Sequence, residues 1–418
     1  MAVTRIAVVG SGVSGLVAAW LLSRRFEVHL FEAESRLGGH THTVSVDTPD
    51  GLLALDTGFL VHNRSTYPNL VRLFEEIGVA TQPSDMSFSV ADPRTGLEYG
   101  SRGAAGFFAQ ARNLVRPGHY RLLAEIVRFN REASALLARP GAGDLTLRGF
   151  LAERGFDDTF SRYYLLPMAS AIWSAPMDAM GDFPVFTFVR FFRNHGLLGI
   201  TGQPTWRVVT GGSHRYIPAL VAPLGERVHT GTPVTRVTRS AEGVTLTFAA
   251  RAAEVFDHVV LACHGDQAFR LLGDPSEVEA AVMGQFRTSV NDTWLHTDAS
   301  WLPANHRARA SWNYRLADDG GGAPTVTYDL NRLQGLTTAR SYCVTLNPRR
   351  PISPETVLGR FTYRHPLYDL AAVRAQGRWT DVSGVNRTHF CGAYWGYGFH
   401  EDGVTSAVRV AASLGVAW

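Results

Sequence analysis

Residues 5–32 oblige the chain to begin as a strand, a tight turn, a helix and a second strand. An apolar run, Ile6 to Val9, enters the pattern Gly10-x-Gly12-x-x-Gly15, and a helical stretch, Leu16 to Ser23, follows. A second apolar strand, Val28 to Phe31, then ends on an acid, Glu32. This order is the βαβ unit that grips a dinucleotide. Gly10 makes the turn, Gly12 lets the backbone approach a pyrophosphate, and Gly15 lets helix and strand pack closely. The helix N-terminus presents free N–H groups and the positive end of its dipole to the phosphates. Glu32 accepts hydrogen bonds from ribose hydroxyls and repels a 2′-phosphate, which disfavours NADP.

The run continues Glu32-x-x-x-Arg36-x-Gly38-Gly39-His40. The glycine pair lets the chain pass close to a bulky dinucleotide, and Arg36 adds a charge suited to its phosphates. At the other end lies Phe390-Cys-Gly392-Ala-Tyr394-Trp395-Gly-Tyr397-Gly-Phe-His400-Glu-Asp402-Gly403. There a strand delivers Gly392, and a helix is expected to begin near Gly403 with its amides turned to a ligand. Glu401 and Asp402 are suited to capping that helix.

Both strings resemble the flavin amine oxidase superfamily, which includes monoamine oxidases, phytoene desaturases and protoporphyrinogen oxidases. Its first fingerprint usually ends in Arg, where this chain has His40. The resemblance implies non-covalent FAD held by Gly10, Ser11, Gly12, Val13, Ser14, Gly15, Glu32, Ala33, Arg36, Gly38, Gly39 and His40. It further implies that Gly58 and Phe59 pass near the flavin ring, that Val234 packs beside the adenine, and that Gly392, Gly403 and Val404 contact the flavin. The family places an aromatic residue against the ring where this chain has His400. An imidazole there would act as base or hydrogen-bond donor, with Tyr394 the other candidate, or it would merely pack near the helix start. On the catalytic reading, His400→Phe cuts turnover by about 10²-fold.

With 418 residues the chain is too long for one core. Dinucleotide elements recur at the start, middle and end, so the expected class is α/β with an α+β second lobe. A Rossmann-like FAD-binding domain (1–85, 205–285, 386–418) interleaves with a substrate domain of helical insert plus antiparallel sheet (86–204, 286–385). Helices are expected over 66–78, 104–138 and 145–175, and surface loops at Gly141 to Asp144 and Asp318 to Pro324. Trp173, Phe186, Phe188, Phe191 and Phe192 form an aromatic stretch that suits a long apolar substrate, although plain core looks the same in sequence. Trp312, Tyr314, Tyr328 and Asn331, with Trp395 and Tyr397, are further candidates for that cavity.

The chain contains no lysine, so Schiff-base chemistry, a pyridoxal anchor and a P-loop lysine are all excluded. The lysine-held water that amine-oxidising members keep near the flavin is excluded too. Three scattered cysteines argue against disulfides and zinc and point to a reducing cytoplasm. His40 and His42 lack ligand-spaced partners, so no metal is expected. A formal charge of +3 gives no reason to expect nucleic acid. The first strand starts four residues in, which predicts no signal peptide, and no run of about 18 apolar residues predicts a membrane span. The most membrane-like segment, Phe183 to Ile200, reads as a buried helix or channel wall, with peripheral membrane contact left open.

Shorter strings, GGHTHTV, DTGFLVHN, TYPNL, SDMSFSV, ACHGDQAFRLL and CGAYWGYGFHEDG, are similar to a bacterial family of NAD/FAD-binding, amine-oxidase-like proteins. These are often encoded near cyclopropane-fatty-acid synthases, and one related group is implicated in desaturating methylated acyl chains. That resemblance implies desaturation or other double-bond chemistry on an unsaturated or methyl-branched fatty acyl chain, with a lipid-modifying methyltransferase as a candidate partner. Three other classes stand beside it: an amine oxidase releasing hydrogen peroxide, a double-bond isomerase without net redox, and a non-catalytic flavoprotein partner.

Overall fold

The computed structural model describes residues 3–49, 51–138, 144–199, 203–316 and 325–418. Of the two expected surface loops, only Asp144 falls among them. The opening unit forms as β1 (Arg5–Val9), α1 (Val13–Leu22) and β2 (Glu27–Phe31). Nine of the ten α1 residues are buried, because the helix sits between the sheet and a second layer and is apolar on every side. The sheet is all parallel, in the order Val228–His229, β2, β1, His258–Leu261, Thr388–Phe390. Its two central strands carry unbroken apolar runs, Ile6–Val9 and Val259–Leu261, as strands covered on both faces do.

The closing helix runs His400–Ser413, starting three residues before the position expected from sequence. Asp402 accepts a hydrogen bond from the Phe399 N–H (2.9 Å) and so fixes that earlier start. Gly403 therefore lies inside the first turn, against α1. A Cβ there would meet Val13 Cγ1 at 2.7 Å and Ser14 Oγ at 2.8 Å. Its role is to let two helices touch.

A seven-stranded sheet forms the second lobe, in the order Val357–Leu367, Arg287–His296, Cys343–Leu346, Thr325–Asp329, Trp312–Arg315, Phe88–Asp92, Leu97–Gly100. Every joint is antiparallel except that between Trp312–Arg315 and Phe88–Asp92, which is parallel. The hairpin Phe88–Gly100 thus adds two strands within the range assigned to the helical insert, ahead of its first expected helix. The eleven-residue strand Val357–Leu367 was also not expected. It carries Gly359 and Pro366 and is only partly buried, so its pattern is weak. The 104–138 helix breaks into Gly103–Phe107, Ala111–Leu114 and Pro117–Leu136, the last opening on proline at its first position.

Val185–Asn194 is a core helix with Val185, Phe188, Val189, Phe191 and Phe192 buried. Among the described residues no helix is long and apolar enough to cross a membrane.

Candidate functional site

A cavity of about 1470 Å³ runs from the fingerprint turn to the aromatic part of the second lobe. It exceeds the roughly 300–1,000 Å³ of a usual small-molecule pocket, so it has room for a dinucleotide and a substrate together. One end is lined by Gly10 to Ser14, Glu32, Ala33, Arg36, Gly39 and Val234. Gly10 has φ +102°, and a Cβ there would lie 2.9 Å from the Ala262 carbonyl oxygen. A Cβ on Gly12 would meet nothing within 4 Å, because that position faces the open cavity. Gly12 also gives α1 no side-chain cap, leaving its first N–H groups for a ligand.

Glu32 is anchored on this turn: one carboxylate oxygen accepts from Ser11 N (2.9 Å) and Oγ (2.6 Å), the other from Glu34 N (2.9 Å). Arg36 donates to the Gly39 carbonyl at 2.8 Å, and the Gly38 N–H donates to Ser11 O at 3.0 Å. Turn and glycine pair are thus held as one cradle. An open Gly12, free helix amides, an anchored acid and a nearby guanidinium fit the phosphates and ribose of FAD. Gly15, Gly38, Gly403 and Val404 support this cradle from behind and do not line the cavity.

Midway, the Phe59 N–H donates to the His40 carbonyl (2.7 Å), and the bare face of Gly58 packs on that carbonyl. The Phe59 ring stacks on His400 at 3.7 Å. His400 Nε2 lies 3.0 Å from Thr41 Oγ1 and 3.3 Å from Tyr216 OH. Burial, then the neighbouring His62, pushes its pKa down to about 3, so it is neutral at ordinary pH. Gly392 and Tyr394 also line the cavity. Burial holds the Tyr394 phenol protonated, well above its usual range, and its enclosed hydroxyl has no partner. Trp395 lies outside the cavity, packed on Phe286 at 4.9 Å.

Three residues that sequence reasoning missed join His40 here. Its ring centroid lies 5.1 Å from His365, 5.2 Å from Tyr363 and 5.7 Å from His264, and all four line the cavity. His40 Nε2 is enclosed and has no hydrogen-bond partner. Burial, then the neighbouring imidazoles, pushes the His40 pKa well down, and burial pushes His365 to about 3. No signal marked these residues, because His40, His264 and His365 come from separate segments. Among the described residues no His, Cys, Asp and Glu group is placed to hold a metal.

The tautomer of His365 follows from its hydrogen bonds. The Asp292 N–H can only donate, so the atom it meets at 3.0 Å is the Asn347 carbonyl oxygen. The Asn347 amide nitrogen then donates to Asn291 Oδ1 (2.7 Å), which turns Asn291 Nδ2 to His365 Nδ1 (2.8 Å). Nδ1 is therefore the acceptor, and neutral His365 carries its proton on Nε2. His365 is a fixed donor and cannot serve as a base.

At the far end Trp173 lines the cavity with Phe191, Trp312, Tyr328 and Tyr397, and its indole N–H donates to the Tyr397 carbonyl at 3.1 Å. Phe186, Phe188, Phe192, Tyr314 and Asn331 do not reach it. Asn331 instead accepts from Tyr342 N (2.7 Å) and donates to the Arg340 carbonyl (2.9 Å).

Comparison with known proteins places this geometry. The family described as flavin containing amine oxidoreductase matches residues 13–351. Amine oxidase [flavin-containing] A of Bos taurus is 25% identical over 248 residues, covering 58% of this chain and 46% of the relative. The chain thus spans about half the length of the curated relatives it matches. Putrescine oxidase bound to putrescine superposes with a TM-score of 0.70 at 16% identity, covering 98% of each chain. A CLA-producing fatty acid isomerase from P. acnes gives 0.68 at 14% identity, again over 98% of each. At such identities the likeness is one of fold.

Proposed function

Since this chain belongs to the flavin containing amine oxidoreductase family, we propose that it is an FAD-dependent oxidoreductase that desaturates, or otherwise acts at a double bond of, an unsaturated or methyl-branched fatty acyl chain. One observation carries the substrate class. Among the described residues the aromatic end of the cavity offers an ammonium ion no free carboxylate: beyond Glu32 and Glu34 at the dinucleotide end, the only acid among the described lining residues is Asp85. Asp85 is already engaged by Ser87, by Ser311 (2.8 Å) and by Arg102 (3.5 Å). Trp173, Phe191 and Tyr328 suit an apolar chain better than a cation. The fatty acid isomerase named above shares the fold and lends this reading support.

FAD supplies the hydride acceptor when bound. The N–H groups opening α1 hold its phosphates, Glu32 its ribose, and Arg36 adds charge. The attachment is non-covalent: Cys263, the cysteine lining the cavity, has its thiol pushed up to about 12 by burial and is not nucleophilic. His365 offers its Nε2–H as a donor to the reacting pair. His40, with an unpartnered nitrogen, takes the proton that leaves with the hydride. His400 is less suited to that role, since two hydroxyls occupy its Nε2 and Phe59 covers a face. His40→Phe is expected to retain flavin and lose about 10²-fold or more in turnover. His400→Phe removes two hydrogen bonds, lowers stability by about 1–3 kcal/mol, and keeps turnover well above that of His40→Phe. Stopped-flow turnover and thermal melts check both.

The deciding experiment mixes purified yellow protein anaerobically with oleate, a methyl-branched fatty acid, putrescine and benzylamine, following the flavin's visible absorbance and identifying products by mass spectrometry. Bleaching with an acyl chain, and a product lighter by two hydrogens, is expected. Bleaching by the amines alone would overturn the substrate class; a rearranged acid without bleaching would replace desaturation by isomerisation.

A further inference from the structure

The segment whose sequence looks most membrane-like, Phe183 to Ile200, contributes the helix Val185–Asn194, whose apolar face (Val185, Phe188, Val189, Phe191, Phe192) is buried and whose exposed residues are Arg190, Arg193 and Asn194. The apolar exposure lies elsewhere. Of the twelve exposed large hydrophobic residues among the described residues, five fall between 114 and 127: Leu114, Val115, Tyr120, Leu123 and Val127. Val115 is 80% exposed and Val127 52%. Tyr120, Leu123 and Val127 recur at three- and four-residue spacing, so they form one stripe on the helix Pro117–Leu136. The opposite face, with Leu122, Phe129, Ala133 and Leu136, is in the core.

Charge accompanies the stripe. Residues 101–131 hold six arginines (Arg102, Arg112, Arg116, Arg121, Arg128, Arg131) against one carboxylate, Glu125, in a chain whose formal total is only +3. Arg121 and Arg131 reach carboxylates outside that stretch only loosely, Asp157 at 3.5 Å and Glu132 at 3.9 Å. Such exposed pairs are weak. Arg112 and Arg116 have no carboxylate within ion-pair distance among the described residues. The cavity opens beside this surface. Ile126 and Asn130 of the same helix line it, and so do Ser101, Arg102 and Gly103, which are exposed.

We infer that this helix and the turn before it dock the protein on an anionic lipid bilayer, with the cavity mouth turned towards the acyl region. Apolar residues flanked by arginines suit the interface of such a membrane and would be poorly matched to water. The mouth places a chain leaving the bilayer beside Ile126. The meaning of that placement rests on the acyl-chain reading, whereas adsorption to lipid does not.

Co-sedimentation of the flavin-loaded protein with phosphatidylglycerol–phosphatidylcholine vesicles tests it. Binding is expected to fall by about tenfold or more on neutral phosphatidylcholine vesicles and again at high salt. Val115→Asp/Val127→Asp, both solvent-facing, is expected to keep its melting temperature and flavin and lose about tenfold or more in vesicle binding. Wild-type protein that ignores anionic vesicles, or a double variant that binds as well as wild type, overturns the inference. So does a stripe that proves to be covered by a second copy, seen as a concentration-dependent dimer that the double variant dissolves without vesicles present. Protein that binds vesicles through the stripe but leaves every acyl substrate unchanged keeps the docking face and removes the proposed chemistry.

Discussion

Gly12→Val is expected to give a folded protein that stays colourless. The Gly12 backbone is extended, φ −62° and ψ 175°, a conformation open to any residue, and a Cβ there meets no atom within 4 Å. The chain alone therefore tolerates valine. A bound pyrophosphate does not, because the two methyl groups occupy the space in front of the α1 amides where it must sit. A loss of about 100-fold or more in flavin affinity, about 2.7 kcal/mol, is expected. Gly15→Val separates ligand space from fold. Its side chain would run into the Gly10 carbonyl and close on Ala262, so turn, helix and sheet cannot keep their places. That variant should melt well below wild type or fail to accumulate. Flavin absorbance after reconstitution, read beside a thermal melt, distinguishes the two. A yellow Gly12→Val protein with wild-type affinity would remove the phosphates from this turn.

The same contrast explains what could be read from sequence. β1, α1 and β2 were legible because their signal is local: apolar runs, three glycines and an acid within 28 residues. The start of the closing helix was less so. Gly403 stood out as a landmark, yet the chain turns helical at His400 because Asp402 reaches back to the Phe399 N–H. The aromatic stretch was ambiguous for a physical reason. Phe191 lines the cavity while Phe188 and Phe192 on the same helix do not. Only the packing of neighbouring segments decides which phenyl ring borders empty space. Of the imidazole cluster only His40, at the end of the fingerprint, was marked, and its meeting with His264 and His365 was not legible. His40, His264 and His365 are joined by the parallel sheet on one side and the strand pair Arg287–His296 and Val357–Leu367 on the other. Periodicity carries no information about that meeting.

Asn291→Asp tests whether the donor character of His365 matters to the reaction. The substitution keeps shape and the bond from Asn347, whose amide nitrogen at 2.7 Å finds an oxygen in either residue. At His365 it reverses the hydrogen bond. Where Asn291 donates to Nδ1 at 2.8 Å, a carboxylate must accept from it. In the wild type, burial and then His264 hold the His365 pKa at about 3, so the ring stays neutral with its proton on Nε2 across the working range. A carboxylate beside it favours the imidazolium and raises that pKa. Below the raised value both nitrogens carry protons, and the Nε2–H donor is kept. Above it the remaining proton moves to Nδ1, against the carboxylate, and the donor is lost. The variant's turnover is therefore expected to approach wild type at low pH and to fall by about 10²-fold above its new pKa, a descending limb that wild-type His365 does not produce. Stability changes in the opposite sense to the wild type. A depressed histidine pKa makes the unfolded state bind more protons between about 3 and 6.5, so native His365 costs stability as pH falls through that window. In the variant the folded state holds the extra proton. Its stabilisation is complete below the unfolded pKa and is lost as pH rises through the folded one. The variant should thus melt higher than wild type, relatively, at low pH and lose that advantage at high pH. Parallel pH–rate profiles for Asn291→Asp and wild type would show that the imidazole cluster takes no part in turnover, and the proton would then have to leave by way of another cavity-lining group, with His400 and Tyr394 next in line.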